Sequence, residues 1–400
     1  MGLVELDLDL GDEEREVLEA VQKFAREVMR PIGIALDRMT DANDVIAPTS
    51  PLWEAYRRYR ELGLEEVRDP SNPLDPARRA RLGAMISEEL GWGDAGLAIS
   101  FGVAGFPRTM ATMSGNPALI ERFAGPDVVG CWAITEPDHG SDMIDFDGKL
   151  GASAASRPNC IARKDGDSFV ITGQKAAWVS NGTIATAAAL FCSVDMGAGK
   201  TGSGVFVVPL DEPGVSRGKP LDKIGQRALN QGEIFFDGLR VPAHCMVLGP
   251  ELYSIAADRV LCMANGGMGS CFVGLARAAL EHAIEYAKER VQGGVAIVRH
   301  QSVKARLFEM FRKVEAARGL NRRVVVHNTV SPSPQLHYAI ASKVTSTQTA
   351  FEVASGAVQI YGGNGLAREY PVEKLFRDAR ASMIEDGCND LLSLVGAERL

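Results

Sequence analysis

The residues best suited to chemistry lie near the C-terminal end, in Gln359–Asp390, QIYGGNGLAREYPVEKLFRDARASMIEDGCND. Two adjacent carboxylates, Glu385 and Asp386, precede Gly387, and a glycine-rich turn at Gly362–Gly365 lies one short helix upstream. A carboxylate can accept a proton, and a glycine turn leaves backbone N–H groups open to phosphate.

Two earlier segments could supply the rest of a site. In Trp132-Ala-Ile-Thr-Glu-Pro-Asp-His-Gly-Ser-Asp142, a strand ends at Thr135, and Pro137 and Gly140 then force a turn. That turn exposes N–H groups beside the Thr135 and Ser141 hydroxyls, which suits the carbonyl-rich edge of a heterocycle or a phosphate. In Gly173–Gly182, Trp178 is followed two residues later by Ser180. An aromatic face beside a hydroxyl suits a flat ring with a polar edge.

Two other motifs carry no such weight. Gly197–Thr201 spells GAGKT, but the phosphate-loop pattern needs a glycine where Val194 stands, so a surface hairpin loop is expected. Gly363-Asn364-Gly365 continues with Leu366-Ala367-Arg368 and follows a helical pattern, which disfavours a nicotinamide-binding Rossmann unit.

The elements that must position these residues fall into three parts. A chain of 400 residues is too long for one ordinary core. Its 46% hydrophobic and 24% charged residues are those of a soluble globular protein. The net charge of −8 argues against a nucleic-acid surface; Arg318, Arg322 and Arg323 are expected on the solvated side of a helix. The N-terminus is acidic where a secretory signal is basic, and no stretch approaches the ~18 apolar residues of a membrane span. Seven scattered cysteines without CxxC spacing point to unpaired thiols in a cytoplasmic protein and to no metal site.

Residues 12–29 place Val17, Val21, Phe24 and Val28 at helical spacing, with Pro31 near the end of the helix. Helical patterning recurs at Trp53–Leu62 and Ala77–Leu90, separated by breaks at Asp69, Pro70, Asn72 and Pro73. From Val128 the pattern turns to strands, with Asp165-Gly166 as a hairpin turn between Ile161–Lys164 and Ser168–Thr172. Ala187–Val194, Gly204–Leu210 and Glu233–Phe236 read as further strands. Long helices return from Glu251, on Leu275, Ala279, His282 and Tyr286, then Leu307, Met310, Val314 and Ala317, then Ile340, Thr347, Phe351 and Ala354. The fold expected is α+β: a helical N-terminal domain (1–127), a central β-barrel or orthogonal-sheet domain (128–245), and a C-terminal four-helix bundle (246–400).

Taken in order, TEPxxGSD (135–142), GQK…W…SNG (173–182), GQR (225–227), ER…HQ (289–301) and QIYGGNG…EYPVEK…RDAR (359–380) resemble the acyl-CoA dehydrogenase family of flavoproteins. The resemblance runs from about Met85 to the C-terminus. It implies FAD, with Trp132, Ile134, Thr135, Gly140, Ser141, Trp178 and Ser180 around the isoalloxazine. Arg290, Gln301, Gln359, Gly362 and Gly363 would serve the adenine-dinucleotide part of an FAD held mainly by a neighbouring subunit, hence a homodimer or homotetramer. Ser141 and Arg259 match positions along the acyl-CoA channel. The implied reaction removes an α-proton to a carboxylate and a β-hydride to flavin N5, leaving a 2-enoyl thioester, with an electron-transfer flavoprotein as acceptor.

The sequence departs from that family at the base. The usual glutamate before Gly-Thr is Asp386 before Gly387-Cys388, and Glu385 replaces an aromatic. Aspartate reaches ~1.3 Å less far, a shortfall of the order that can cost a hundredfold in a positioned reaction. Asp386 is the preferred base, Asp258 the alternative, and Glu385 a third candidate expected to point away as a solvated surface acid, since neighbouring residues do not share a helix face. Arg290-Val-Gln-Gly-Gly294 lacks a usual aromatic, and GQK carries one extra alanine before Trp178. A divergent member is therefore a second expectation: an oxidase, an acyl-carrier-protein dehydrogenase, a desulfinase, or a silent acyl-CoA- or flavin-binding protein.

Overall fold

A computed structural model describes residues 4–7, 9–64, 67, 72–144 and 157–400. The expected break at Asp69 and Pro70 lies outside the described residues. No described helix is long and apolar enough to cross a membrane.

The N-terminal helices are α1 (Asp12–Phe24), α2 (Arg30–Arg38), α3 (Ala42–Ile46), α4 (Pro51–Glu61), α5 (Pro76–Gly93), α6 (Ala95–Ala104), α7 (Phe106–Ser114) and α8 (Pro117–Phe123). Ser50, Asp75, Asp94 and Asn116 cap four of them through side-chain oxygens that accept N–H bonds of the first turn. Pro31 does not end the first helix, as its sequence suggests. A π-helical turn at Ala25–Met29 widens the spiral just before it, and α2 continues beyond. The wider turn accommodates a ring that lacks an N–H and would otherwise press on the preceding turn.

The central part is one mixed sheet of eight strands: β1 (Gly130–Ala133), β2 (Ile161–Asp165), β3 (Ser168–Lys175), β4 (Ala187–Asp195), β5 (Thr201–Pro209), β6 (Val215–Arg217), β7 (Ile234–Pro242) and β8 (Met246–Leu248). The order along the path is β6-β7-β3-β2-β4-β5-β8, and β1 pairs with β4 off that path. β1 and β2 both run parallel to β4, β1 along Ala187–Leu190 and β2 along Ser193–Asp195. The β2–β3 hairpin turns at Gly166, whose φ of 58° is the left-handed geometry that glycine tolerates. The GAGKT segment is the exposed β4–β5 hairpin loop.

The C-terminal part comprises α9 (Tyr253–Glu289), α10 (Gln301–Val330), α11 (Leu336–Tyr361), α12 (Val372–Ser382) and α13 (Asn389–Ala397). α5 joins this bundle by packing on α9 and α10. Glycines make the close approach to α9: a Cβ on Gly274 would stand 1.9 Å from Glu88 O, and one on Gly91 would stand 2.0 Å from Cys271 O. The expected solvated arginine face is largely buried there. Arg318 and Arg322 reach Glu88 at 2.9 and 3.1 Å, and Arg322 also holds Glu5 at 2.7 Å; only Arg323 is exposed. The glutamate on α5 gives their charges a partner, which periodicity on α10 alone does not reveal.

Candidate active site

A cavity of about 550 Å³ opens between the sheet and the bundle. Trp132, Ile134, Thr135, Gly140 and Ser141 line it from β1 and the loop that follows, and Trp178 and Ser180 from the loop after β3. The turn between α12 and α13 contributes Glu385, Asp386 and Gly387. Ile99 and Val103 of α6 and Ala257, Val260, Leu261 and Met268 of α9 form an apolar wall. Segments that are 250 residues apart in the chain thus share one space.

The loop after β1 is held by a buried ion pair that sequence reasoning missed. Lys175 Nζ lies 2.6 Å from Glu136 Oε1 and donates to Ile134 O at 3.0 Å, with both charged side chains fully buried. Glu136 also accepts N–H bonds from Asn159 and Cys160. Such a pair is tolerated in the interior because each charge is matched and its remaining hydrogen bonds are made. The only signal in the sequence was a lysine on the inward-facing register of β3. At the far end of the same loop, Asp142 accepts from Gly140 N at 2.7 Å and contacts His139 Nδ1 at 2.9 Å, which fixes Gly140 and Ser141.

The loop is joined to the carboxylate turn by a bond from Cys388 N to Ser141 Oγ at 3.0 Å. Asp386 and Gly387 have φ values of 50° and 90°. Non-glycine residues rarely occupy this region, so the aspartate is held there by its surroundings. Gly387 is required for space as well, because a Cβ there would stand 2.7 Å from Ile144 Cδ1. From behind, the fully buried Lys343 of α11 donates to Gly387 O and Asn389 Oδ1, both at 2.9 Å.

Asp386 is left free to act. Among the described residues, neither its carboxylate nor its N–H has a hydrogen-bond partner. Burial pushes its carboxyl above the ordinary range, and the Lys343 ammonium opposes that rise. The same burial pulls Lys343 down to about 8, against the attraction of Asp386 and Glu385.

Glu385 is not the solvated surface acid its position suggests. It lines the cavity, and its Oε2 accepts from Gln226 Nε2 at 2.9 Å. The residues do not sit on a regular helix, so both carboxylates can face the same space. Burial raises Glu385 to about 7, offset by Lys223 and by the Gln226 bond.

Other candidates fall elsewhere. Asp258 is outside the cavity wall, with Oδ1 3.1 Å from Arg399 Nη2. Arg259 is exposed, reaches Pro332 O at 3.4 Å, and does not line the cavity as its match implies. Arg290, Gln301, Gln359, Gly362 and Gly363 are exposed at one end of the bundle. A short hairpin returns Ile297 N to Arg290 O at 2.8 Å, and Tyr286 stacks on Tyr361 at 3.9 Å, which aligns the end of α9, the start of α10 and the end of α11.

The cavity wall suits a flavin ring. Among the described residues Trp132 Nε1 is buried without a partner, a donor awaiting an acceptor such as a ring carbonyl. Trp178 leaves 59% of its surface uncovered, although it lines the cavity beside the Ser180 hydroxyl. An aromatic, hydroxyl-bearing wall and a carboxylate unpaired among the described residues share one largely apolar cavity, which is the chemistry a flavin-dependent oxidoreductase requires.

Known proteins agree. Residues 131–239 match the acyl-CoA dehydrogenase middle domain and residues 256–400 the acyl-CoA dehydrogenase C-terminal domain. The chain is 29% identical to the mitochondrial short-chain specific acyl-CoA dehydrogenase of Rattus norvegicus, over 98% of its own length and 91% of the relative's. It is 33% identical to the Homo sapiens enzyme of that name, over 71% of this chain and 65% of that one. Butyryl-CoA dehydrogenase from Megasphaera elsdenii superposes with a TM-score of 0.82 at 26% identity, covering 98% of this chain and 99% of that chain. The chain belongs to the acyl-CoA dehydrogenase family, whose members are FAD-dependent oxidoreductases acting on acyl thioesters.

Proposed function

We propose that the protein dehydrogenates an acyl thioester between Cα and Cβ, with Asp386 as the base. The observation that carries this reading is the Asp386 carboxylate, which lines the cavity with no hydrogen-bond partner among the described residues while a buried lysine holds the carbonyl of the next residue, Gly387. An α C–H is weakly acidic, so the thioester carbonyl must be polarised as the proton leaves. The unspent Asp386 N–H is the donor available at the base itself. Lys343 keeps the turn in place, and the loss of water in the apolar cavity strengthens each of these contacts.

FAD is the cofactor proposed, and when bound it takes up the β-hydrogen as hydride. Trp132, Thr135, Trp178 and Ser180 would hold its ring. The exposed cluster of Arg290, Gln301, Gln359, Gly362 and Gly363 lies apart from that ring site. Its position supports service to an FAD of a second copy, and so a homodimer or homotetramer. A cytoplasmic location and an electron-transfer flavoprotein as acceptor belong to the same reading.

The test is anaerobic addition of a panel of acyl-CoAs to the purified yellow protein. Bleaching of the flavin with formation of 2-enoyl thioester is expected, with slow reoxidation in air. Failure of every thioester to bleach the flavin overturns the reading, and rapid peroxide formation on aeration replaces the proposed acceptor with oxygen.

A further inference from the structure

We infer that the acyl group of the substrate carries a hydrogen-bond donor, a hydroxyl or a protonated amine, and that Glu385 binds it. The inference rests on the thioester-dehydrogenase reading above. Glu385 stands in a cavity whose other side is apolar, formed by Ile99, Val103, Val260, Leu261 and Met268. Its Oε2 is held by Gln226, whereas Oε1 has no partner among the described residues.

Gln226 itself is fixed. It is fully buried, has a φ of 49°, and donates its N–H to Asp378 Oδ1 and its Nε2 to Asp378 O. Asp378 is held in turn by Lys374 at 2.6 Å, which bridges to Asp94 at 2.6 Å. The preceding Gly225 is pressed on α12, where a Cβ would stand 2.4 Å from Arg377 O. The Gln226 amide therefore cannot turn freely, and its Oε1 is buried without a partner among the described residues. Once Glu385 is ionised, every unspent atom of this pair is an acceptor, so the ligand the ionised pair calls for is a donor.

Lys223 does not fill that demand. It lines the same cavity, but its Nζ donates to Leu229 O and Gln231 Oε1, both at 2.8 Å, and it makes no ion pair with Glu385. An alkyl chain would cover Glu385 and leave it desolvated and unpaired; a hydroxyl or ammonium would give Oε1 its partner. Sites built around such a bond discriminate strongly against an analogue that lacks it. The rise of Glu385 to about 7 shows how strongly its surroundings disfavour an unpaired carboxylate.

The experiment compares hexanoyl-CoA, 5-hydroxypentanoyl-CoA, 5-methoxypentanoyl-CoA and freshly prepared 5-aminopentanoyl-CoA on the FAD-loaded protein. Both the rate of anaerobic flavin bleaching and the Kd from the flavin spectral shift are measured. The hydroxyl or the ammonium compound, whichever is the cognate class, is expected to exceed hexanoyl-CoA by about tenfold to a hundredfold in both readouts. The methyl ether, an acceptor only, should lose that advantage. Glu385→Leu should reverse the order, and Glu385→Gln, which retains an amide oxygen, should keep part of the preference for hydroxyl. Equal binding of hexanoyl-CoA and both donor compounds, unchanged by Glu385→Leu, overturns the inference. If no compound bleaches the flavin, the dehydrogenase reading fails separately, while the Kd series still decides the role of Glu385.

Discussion

Replacing Lys343 with methionine tests the support of the base. The side chain keeps its length, but Gly387 O and Asn389 Oδ1 each lose a hydrogen bond of 2.9 Å from a fully buried ammonium. A buried acceptor left unsatisfied costs about 1–3 kcal/mol, so two give roughly 2–6 kcal/mol. Removing a buried ammonium returns part of this, and a net loss of about 2–4 kcal/mol is expected in chemical denaturation. The effect on activity has a distinct sign. Among the described residues, Lys343 is the charge that draws Asp386 back toward the ordinary carboxylate range. Without it the folded value rises further, so the acid limb of the kcat/KM profile moves to higher pH, at about tenfold loss per pH unit below it. A loosened turn adds a loss at all pH, since a misplacement of about 1 Å can cost a hundredfold. Lys313→Met, at a partly exposed surface pair with Glu352, is the control and should do neither. An acid limb that stays in place while Lys343→Met retains full kcat/KM would refute this account of the turn.

Asp386→Asn should reduce the rate of flavin bleaching by about 10²–10⁴ with FAD still bound, whereas Asp258→Asn, which releases Arg399 outside the cavity, should leave the rate near wild type. Glu136→Gln leaves the fully buried Lys175 without its counter-charge, so a loss of about 3–5 kcal/mol and of FAD retention is expected, and joint replacement of both residues by apolar ones should recover most of the stability. Glu385 should reveal itself in thermal melts across pH. Its folded value of about 7 exceeds the ordinary 4.5, so the native state keeps a proton that the unfolded chain has lost, and stability falls as pH rises between those values. Glu385→Gln should therefore match wild type below pH 4.5 and gain up to about 3 kcal/mol above pH 7; a difference independent of pH would contradict the burial of this carboxyl.

Much of this protein was determined by local chemistry and was legible in the chain. Helical spacing on α9, α10 and α11, the Asp165-Gly166 hairpin, and the loop nature of GAGKT depend on residues within a few positions of one another. The motifs around Trp132–Ser141 and Trp178–Ser180 carried part of the family resemblance, and both line one cavity. What the sequence could not decide depends on partners distant in the chain. Arg318 looked solvated because the glutamate that buries it is on α5, and Glu385 looked like a surface acid because Gln226 lies 159 positions away. Lys175 and Lys343 carried no local sign of their roles, since a buried lysine is recognised only by the carboxylate or carbonyls that surround it. Short-range spacing fixes which face of an element is apolar. Only the packed structure brings a charge to its partner, and that meeting puts Glu385 on Gln226 and leaves both it and Asp386, the proposed base, lining one cavity.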